Sequence, residues 1–174
     1  PYGSELVEDY QRIIDKFGLE KFKKNLPDPN KLMRRGCVFA TRGLKLIKKA
    51  MEEDRPFYVL SGIMPSGEKI HLGTKHVVEN IRYFQEQGGH AYILVADLEA
   101  LAARGISLEE GKRRAMEFHI PAYIALGLDP EKTTVYFQSE NKEVIHFAYE
   151  MSQKVTLNEF KAVYGNADPG RIMG

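Results

Sequence analysis

The chain has 174 residues and is 43% hydrophobic, which suits one globular domain able to bury a core. Its 25 basic and 24 acidic residues leave a net charge of +1, so bulk electrostatics favours neither a nucleic acid nor a membrane surface. A single cysteine, Cys37, excludes an internal disulfide and a thiolate metal site, and no apolar run approaches the ~20 residues of a membrane span, so no metal and no membrane is expected and the expected location is cytoplasmic.

Residues 5–17 predict a helix, with Leu6, Tyr10, Ile13, Ile14 and Phe17 on one face, Ser4 as its cap and Gly18 at its end. Residues 19–26 predict a short basic helix or turn, stopped by Pro27-Asp-Pro29. A further helix runs to Met51, with Leu44, Ile47 and Met51 on one face. Residues 57–61 (FYVLS) then read as a buried parallel strand, 62–70 as a Gly/Pro/Ser loop, 71–87 as a helix and 90–96 (HAYILVA) as a second strand. Ser107 and Glu110 predict a capping box for a helix toward Leu126, with a kink at Pro121. Residues 133–138 (TTVYFQ) predict a third strand, and two helices follow, the second opened by the capping box Thr156 to Glu159. Strands alternating with helices predict an α/β fold with a parallel sheet. Three strands are few for a doubly wound sheet, so further strands are expected beyond this stretch. Tyr83, Phe84 and Tyr92 are expected in the core.

The loop before the long helix carries the chemistry. Ligands of open α/β sheets bind beyond the carboxyl ends of strands, where helix N-termini offer unpaired N–H groups. Gly62 and Gly67 permit close backbone approach, and Gly73 would leave bare backbone for a base or sugar. Ser66, His71, Thr74 and His76 can donate hydrogen bonds there, and a donor at His71 would stabilise charge developing in phosphoryl or nucleotidyl transfer. Gly62 and Gly67 have the spacing of a P-loop, but Glu68-Lys-Ile70 follows, so the lysine register and the magnesium hydroxyl are lost. The Gly-rich dinucleotide fingerprint is also missing. His119 and His146 fall within helices as structural or exposed residues, and the basic groups Lys21 to Lys24 and Arg34-Arg35 read as a solvated face.

Pro65-Ser-Gly67 followed by His71-Leu-Gly73 resembles the PSG…HIGH signature of class I aminoacyl-tRNA synthetases. Several other runs resemble archaeal and eukaryotic-type tryptophanyl-tRNA synthetases: Leu32 to Gly36, Ser61 to Gly67, Tyr83 to Gln85, Val95 to Ala100, Tyr123 to Asp129, Tyr136 to Ser139 and Lys154 to Leu157. The resemblance covers nearly the whole chain in order. It implies an α/β, Rossmann-like parallel sheet with a HIGH-type nucleotide site, preceded by a helical N-terminal extension, the whole being an incomplete catalytic domain. The implied partition is an extension over 1–55, the first βαβ part of the catalytic domain over 56–118, and an insertion-like helical and strand region over 119–174.

The activity so implied joins tryptophan to ATP as an aminoacyl-adenylate and transfers it to tRNA. Carried over by position, His71 and Thr74 would be catalytic, and Met64, Pro65, Ser66, Gly67, His71, Gly73 and Thr74 would hold ATP, with Mg2+ accompanying the nucleotide. Thr74 stands where the signature has its second histidine; it keeps a donor and loses reach. Leu60, Gly62, Asp97 and Glu99 would face the amino acid. Asp97 and Glu99 would point the same way if the second strand continued through them, and Glu99 is the better placed of the two. Leu60 replaces a tyrosine of tyrosine-specific relatives, and a buried phenol without a partner costs about 1–3 kcal/mol, which disfavours tyrosine as substrate. The family's lysine-rich KMSKS loop and its anticodon-binding domain are not in these 174 residues. The resemblance also implies a homodimer through 119–174. A tyrosine-specific enzyme, a non-catalytic tRNA- or partner-binding module and a small-molecule nucleotidyltransferase are the competing readings.

Overall fold

The computed structural model describes residues 10–165 and residue 172. Helix α1 covers Tyr10–Phe17, buries Ile14 and closes at Gly18, whose φ is +59°. The expected first turn and its Ser4 cap lie outside the described residues. The basic run after it is not a helix. Strand β1, Glu20–Lys21, pairs antiparallel with β2, Ala40–Thr41. The next residue, Phe22, donates its N–H to Phe39 O at 2.9 Å and is buried, while Lys21 and Lys23 are exposed. That inside–outside alternation belongs to extended chain, and it overrides the lysine-rich helical composition. Helix α2, Lys31–Arg34, is capped by Asn30, and α3 spans Leu44–Glu52.

The central sheet has three parallel strands: β3 (Tyr58–Ile63), β4 (His90–Val95) and β5 (Thr133–Phe137), in that spatial order. Tyr58 sits opposite His90 and Ile63 opposite Val95, while Ala91 sits opposite Thr133 and Val95 opposite Phe137. Gly62, expected in the loop, is a strand residue. β5, within the stretch expected as insertion-like, is the third strand of the same sheet. Helix α4, Leu72–Glu86, connects β3 to β4. The return from α4 into β4 needs glycine at position 89, where a Cβ would lie 2.6 Å from the Phe57 ring and 2.9 Å from Phe84 O.

One face of the sheet is packed. Ile63, Ala91 and Ile93 meet Val78 and Ile81 of α4, together with Tyr123 and Leu128, with Val59 and Val135 at the margin. The other face is open. Tyr58 and Leu60 are exposed there, and so is Tyr92, which corrects its expected place in the core. Its ring lies edge-on to Tyr58, with centroids 6.0 Å apart.

After β4 the chain enters α5, Asp97–Arg104, a helix the sequence reading did not anticipate. The expected 107–126 helix is three pieces: α6 (Leu108–Arg114), a wider π segment (Ala115–His119) and α7 (Ile120–Ala125). The irregularity falls in the turn before Pro121. A proline there cannot donate to the carbonyl of Glu117, and the wider turn makes room for its ring. Ser107 caps α6 through Glu110 N at 3.2 Å, but the Glu110 carboxylate does not return to Ser107. It pairs with Arg113 and Arg114, so the expected box is half formed. Helices α8 (Lys142–Ser152) and α9 (Leu157–Tyr164) complete the described chain, and both halves of the Thr156–Glu159 capping box are present.

Candidate nucleotide site

The site is built on the carboxyl end of β3. Pro65 is fully buried against Gly111 of α6, where a Cβ on residue 111 would lie 3.5 Å from Pro65 Cγ. Ser66 N donates to Met64 O at 2.7 Å, which curls the chain sharply past the strand end. Ser66 is exposed and Gly67 half-buried.

His71 is the N-cap of α4, with extended backbone (φ −118°, ψ 174°), so the expected helix start moves one residue to Leu72. Its Nδ1 accepts from Thr74 N at 3.3 Å. A ring nitrogen that accepts cannot carry the proton, so the neutral imidazole holds its proton on Nε2. The capping bond therefore leaves an outward N–H donor on an exposed side chain, beside the free N–H groups of a helix start. Gly73 is the seat of the ring, since a Cβ there would lie 3.0 Å from His71 Cε1 and 3.1 Å from Nδ1. Thr74 is half-buried, and its backbone N–H is the one committed to His71. His71, Gly73 and Thr74 thus form one contact group.

The loop is held from behind by two arginines that carry no local signal and by His119, expected as a structural or exposed helix residue. Arg114 Nη1 donates to Ser66 O at 3.0 Å, and Arg113 Nη2 meets Glu68 Oε1 at 2.8 Å. His119, buried, donates from Nε2 to Gly67 O at 2.8 Å. Glu110 sits between the two arginines, and their guanidinium hydrogen bonds hold its carboxyl down at about 2. Arg113 is pushed above the usual guanidinium range by Glu110, Glu68 and Glu117. No local signal betrays these contacts, because they join residues 45–52 apart in sequence.

On the amino-acid side, the strand does not continue through Asp97 and Glu99. Both lie in the first turn of α5, where residues two apart point in different directions, so the expected common face is absent. Asp97 is buried and accepts from Leu98 N and Ser139 N at 3.0 Å and from Ser139 Oγ. It ties α5 to the turn after β5. Glu99 is half-buried, and among the described residues no side chain pairs with it. Ala96 N donates to Ile63 O at 2.8 Å, so the start of α5 and the loop after β3 share the same sheet edge. Leu60 and Gly62 lie on the open face, Leu60 opposite Tyr92 and Gly62 opposite Leu94. Among the described residues no three His, Cys, Asp or Glu side chains cluster as a metal cage, and no helix is long and apolar enough to cross a membrane.

A parallel sheet whose first strand leads through a tight turn into a histidine-capped helix is the α/β arrangement of the class I synthetases. The chain belongs to the class I tRNA synthetases of the tryptophan and tyrosine group, whose family model matches residues 51–168. It is 40% identical to "Tryptophan--tRNA ligase 1" of Halobacterium salinarum over 95% of its own length and 32% of that protein's. It is 39% identical to the tryptophan–tRNA ligase of Thermoplasma volcanium, covering 99% of this chain and 39% of the relative. The crystal structure of tryptophanyl-tRNA synthetase from Aeropyrum pernix superposes with a TM-score of 0.87 at 38% identity, over 96% of this chain and 47% of that one. The chain thus spans between about a third and a half of the length of the relatives it matches.

Proposed function

We propose that this chain supplies the ATP-binding part of a tryptophan–tRNA ligase. One observation carries the reading: His71 caps α4 through Nδ1 and so presents Nε2–H outward at the end of β3. A donor fixed there before reaction can stabilise charge that develops on a transferring phosphate. Met64, Pro65, Ser66 and Gly67 form the turn along the phosphates, Gly73 seats the His71 ring and borders the adenosine beside it, and Thr74 adds a hydroxyl. Magnesium would arrive on the nucleotide, held by phosphate oxygens. Glu99 is the candidate for the substrate ammonium. Asp97, with its oxygens engaged, acts through the placement of α5. Leu60 and Gly62 border the amino acid. Tryptophan is favoured over tyrosine by the names of the relatives and by the apolar side chain at position 60.

We read residues 1–55 as an extension, 56–118 as the opening part of the catalytic domain, and 119–174 as the region that carries a homodimer contact. Exposed Phe147, Tyr149 and Met151 on α8 support that contact. tRNA is the second substrate of the full-length protein, and the cytoplasm its place of action. ATP–pyrophosphate exchange on the full-length protein tests the reading. Exchange with tryptophan is expected; exchange with tyrosine alone would overturn the substrate. Thr74 keeps a second reading alive, a module that binds tRNA without forming adenylate. Absence of exchange with every amino acid would select it.

A further inference from the structure

We infer that His119 and Arg114 are positioning residues of the nucleotide loop, acting on ATP through the peptide groups of Ser66, Gly67 and Glu68. The inference rests on the function proposed above.

Two carbonyls of the loop are engaged from the same side. Ser66 O accepts from Arg114 and Gly67 O from His119, at 3.0 and 2.8 Å. No peptide bond among the described residues is cis. In a planar trans peptide the carbonyl and the following N–H point in opposite directions. Holding these two carbonyls toward α6 and the π segment therefore turns the N–H groups of Gly67 and Glu68 away from them. Among the described residues neither amide has an acceptor. Two successive free amides on one side of a turn form a concavity suited to a phosphate oxygen. Without the two side chains the peptide planes are free to rotate, because residue 67 is glycine.

The state of His119 follows from its partner. A carbonyl oxygen only accepts, so Nε2 bears a proton and donates it. Nδ1 is buried, and it has no partner among the described residues. An unpaired buried nitrogen is unfavourable, and a purely packing role at this position would be met better by an apolar side chain. The histidine is brought to the loop by the π segment, whose extra residue per turn re-aims side chains and recurs at functional sites.

The test is ATP–pyrophosphate exchange in the full-length protein with tryptophan, comparing wild type with His119→Ala, His119→Gln and Arg114→Ala. His119→Ala is expected to raise the KM for ATP about tenfold while the KM for tryptophan stays within about twofold. His119→Gln, whose amide N–H can replace Nε2–H, is expected to recover most of that loss. Arg114→Ala is expected to act in the same direction and carries the test if His119→Ala does not fold. A merely structural residue would lower thermal stability and the amount of active enzyme without separating the two KM values. An unchanged KM for ATP in the folded variants, or equal damage by Ala and Gln, overturns the inference while the function stands. A wild-type protein inactive with every amino acid overturns both.

Discussion

His71 has two duties that substitution can separate. As an N-cap it satisfies one orphan amide of α4, and as an outward Nε2–H donor it is placed to meet phosphate. His71→Asn keeps an accepting oxygen at the cap and gives up the reach, so its stability stays within about 0.5 kcal/mol of wild type. His71→Ala loses the cap as well, at about 1 kcal/mol. Both variants are expected to raise the barrier to pyrophosphate exchange by about 2–4 kcal/mol, which steady-state kinetics would read. Full activity in His71→Asn would show that only the cap matters. Gly73→Ala makes the complementary case. Alanine favours a helix over glycine by about 0.5–1 kcal/mol, yet its Cβ would press on the His71 ring at 3.0 Å. Thermal stability should hold or rise while the KM for ATP increases; a rise in stability with unchanged kinetics would show the ring's seat to be dispensable.

At the level of elements, what the sequence revealed was what neighbours in sequence decide. The three strands were legible from short apolar runs, α4 from its length and terminal glycines, and α9 from the Thr156–Glu159 box. α5 was missed because nothing punctuates Val95-Ala96-Asp97: the chain passes from strand to helix with no glycine or proline, and Asp97 answers to Ser139, 42 residues away. The clamp from α6 and the π segment was illegible for the same reason. Gln85 is the clearest such long-range tie. It is buried on α4, its Nε2 faces Lys132 O and Thr133 Oγ1 at 2.9 Å, and its Oε1 accepts from Asp129 N at 3.0 Å. The helix thereby fixes where β5 begins. Gln85→Leu preserves bulk and strands the Asp129 amide and the Lys132 carbonyl, so urea denaturation should show a loss of about 2–4 kcal/mol. A loss below about 0.5 kcal/mol would mean that solvent reaches those groups readily.

For the whole molecule, the question is what joins the N-terminal segment to the sheet. Phe22, Leu26 and Met33 pack with Tyr83 of α4. Asn30 donates to Glu79 O and Asn80 Oδ1, and the Tyr83 hydroxyl donates to Pro27 O. Burial, with a smaller contribution from the Asp28 carboxylate, pushes the Tyr83 phenol up to about 12 from 10.0. The folded state therefore holds this proton more tightly than the unfolded chain does. The contribution to stability is intact below 10.0 and is lost as pH rises through about 12. Burial also raises Tyr123, so Tyr83 and Tyr123 should both ionise late. Tyr83→Phe should remove one of those two late components from the phenolate absorbance titration. It should also flatten the fall in stability across the same alkaline window, even though it costs the bond to Pro27 at neutral pH. An unchanged late titration in that variant would mean that Tyr83 ionises freely, and that the N-terminal segment does not stay seated on α4 in solution.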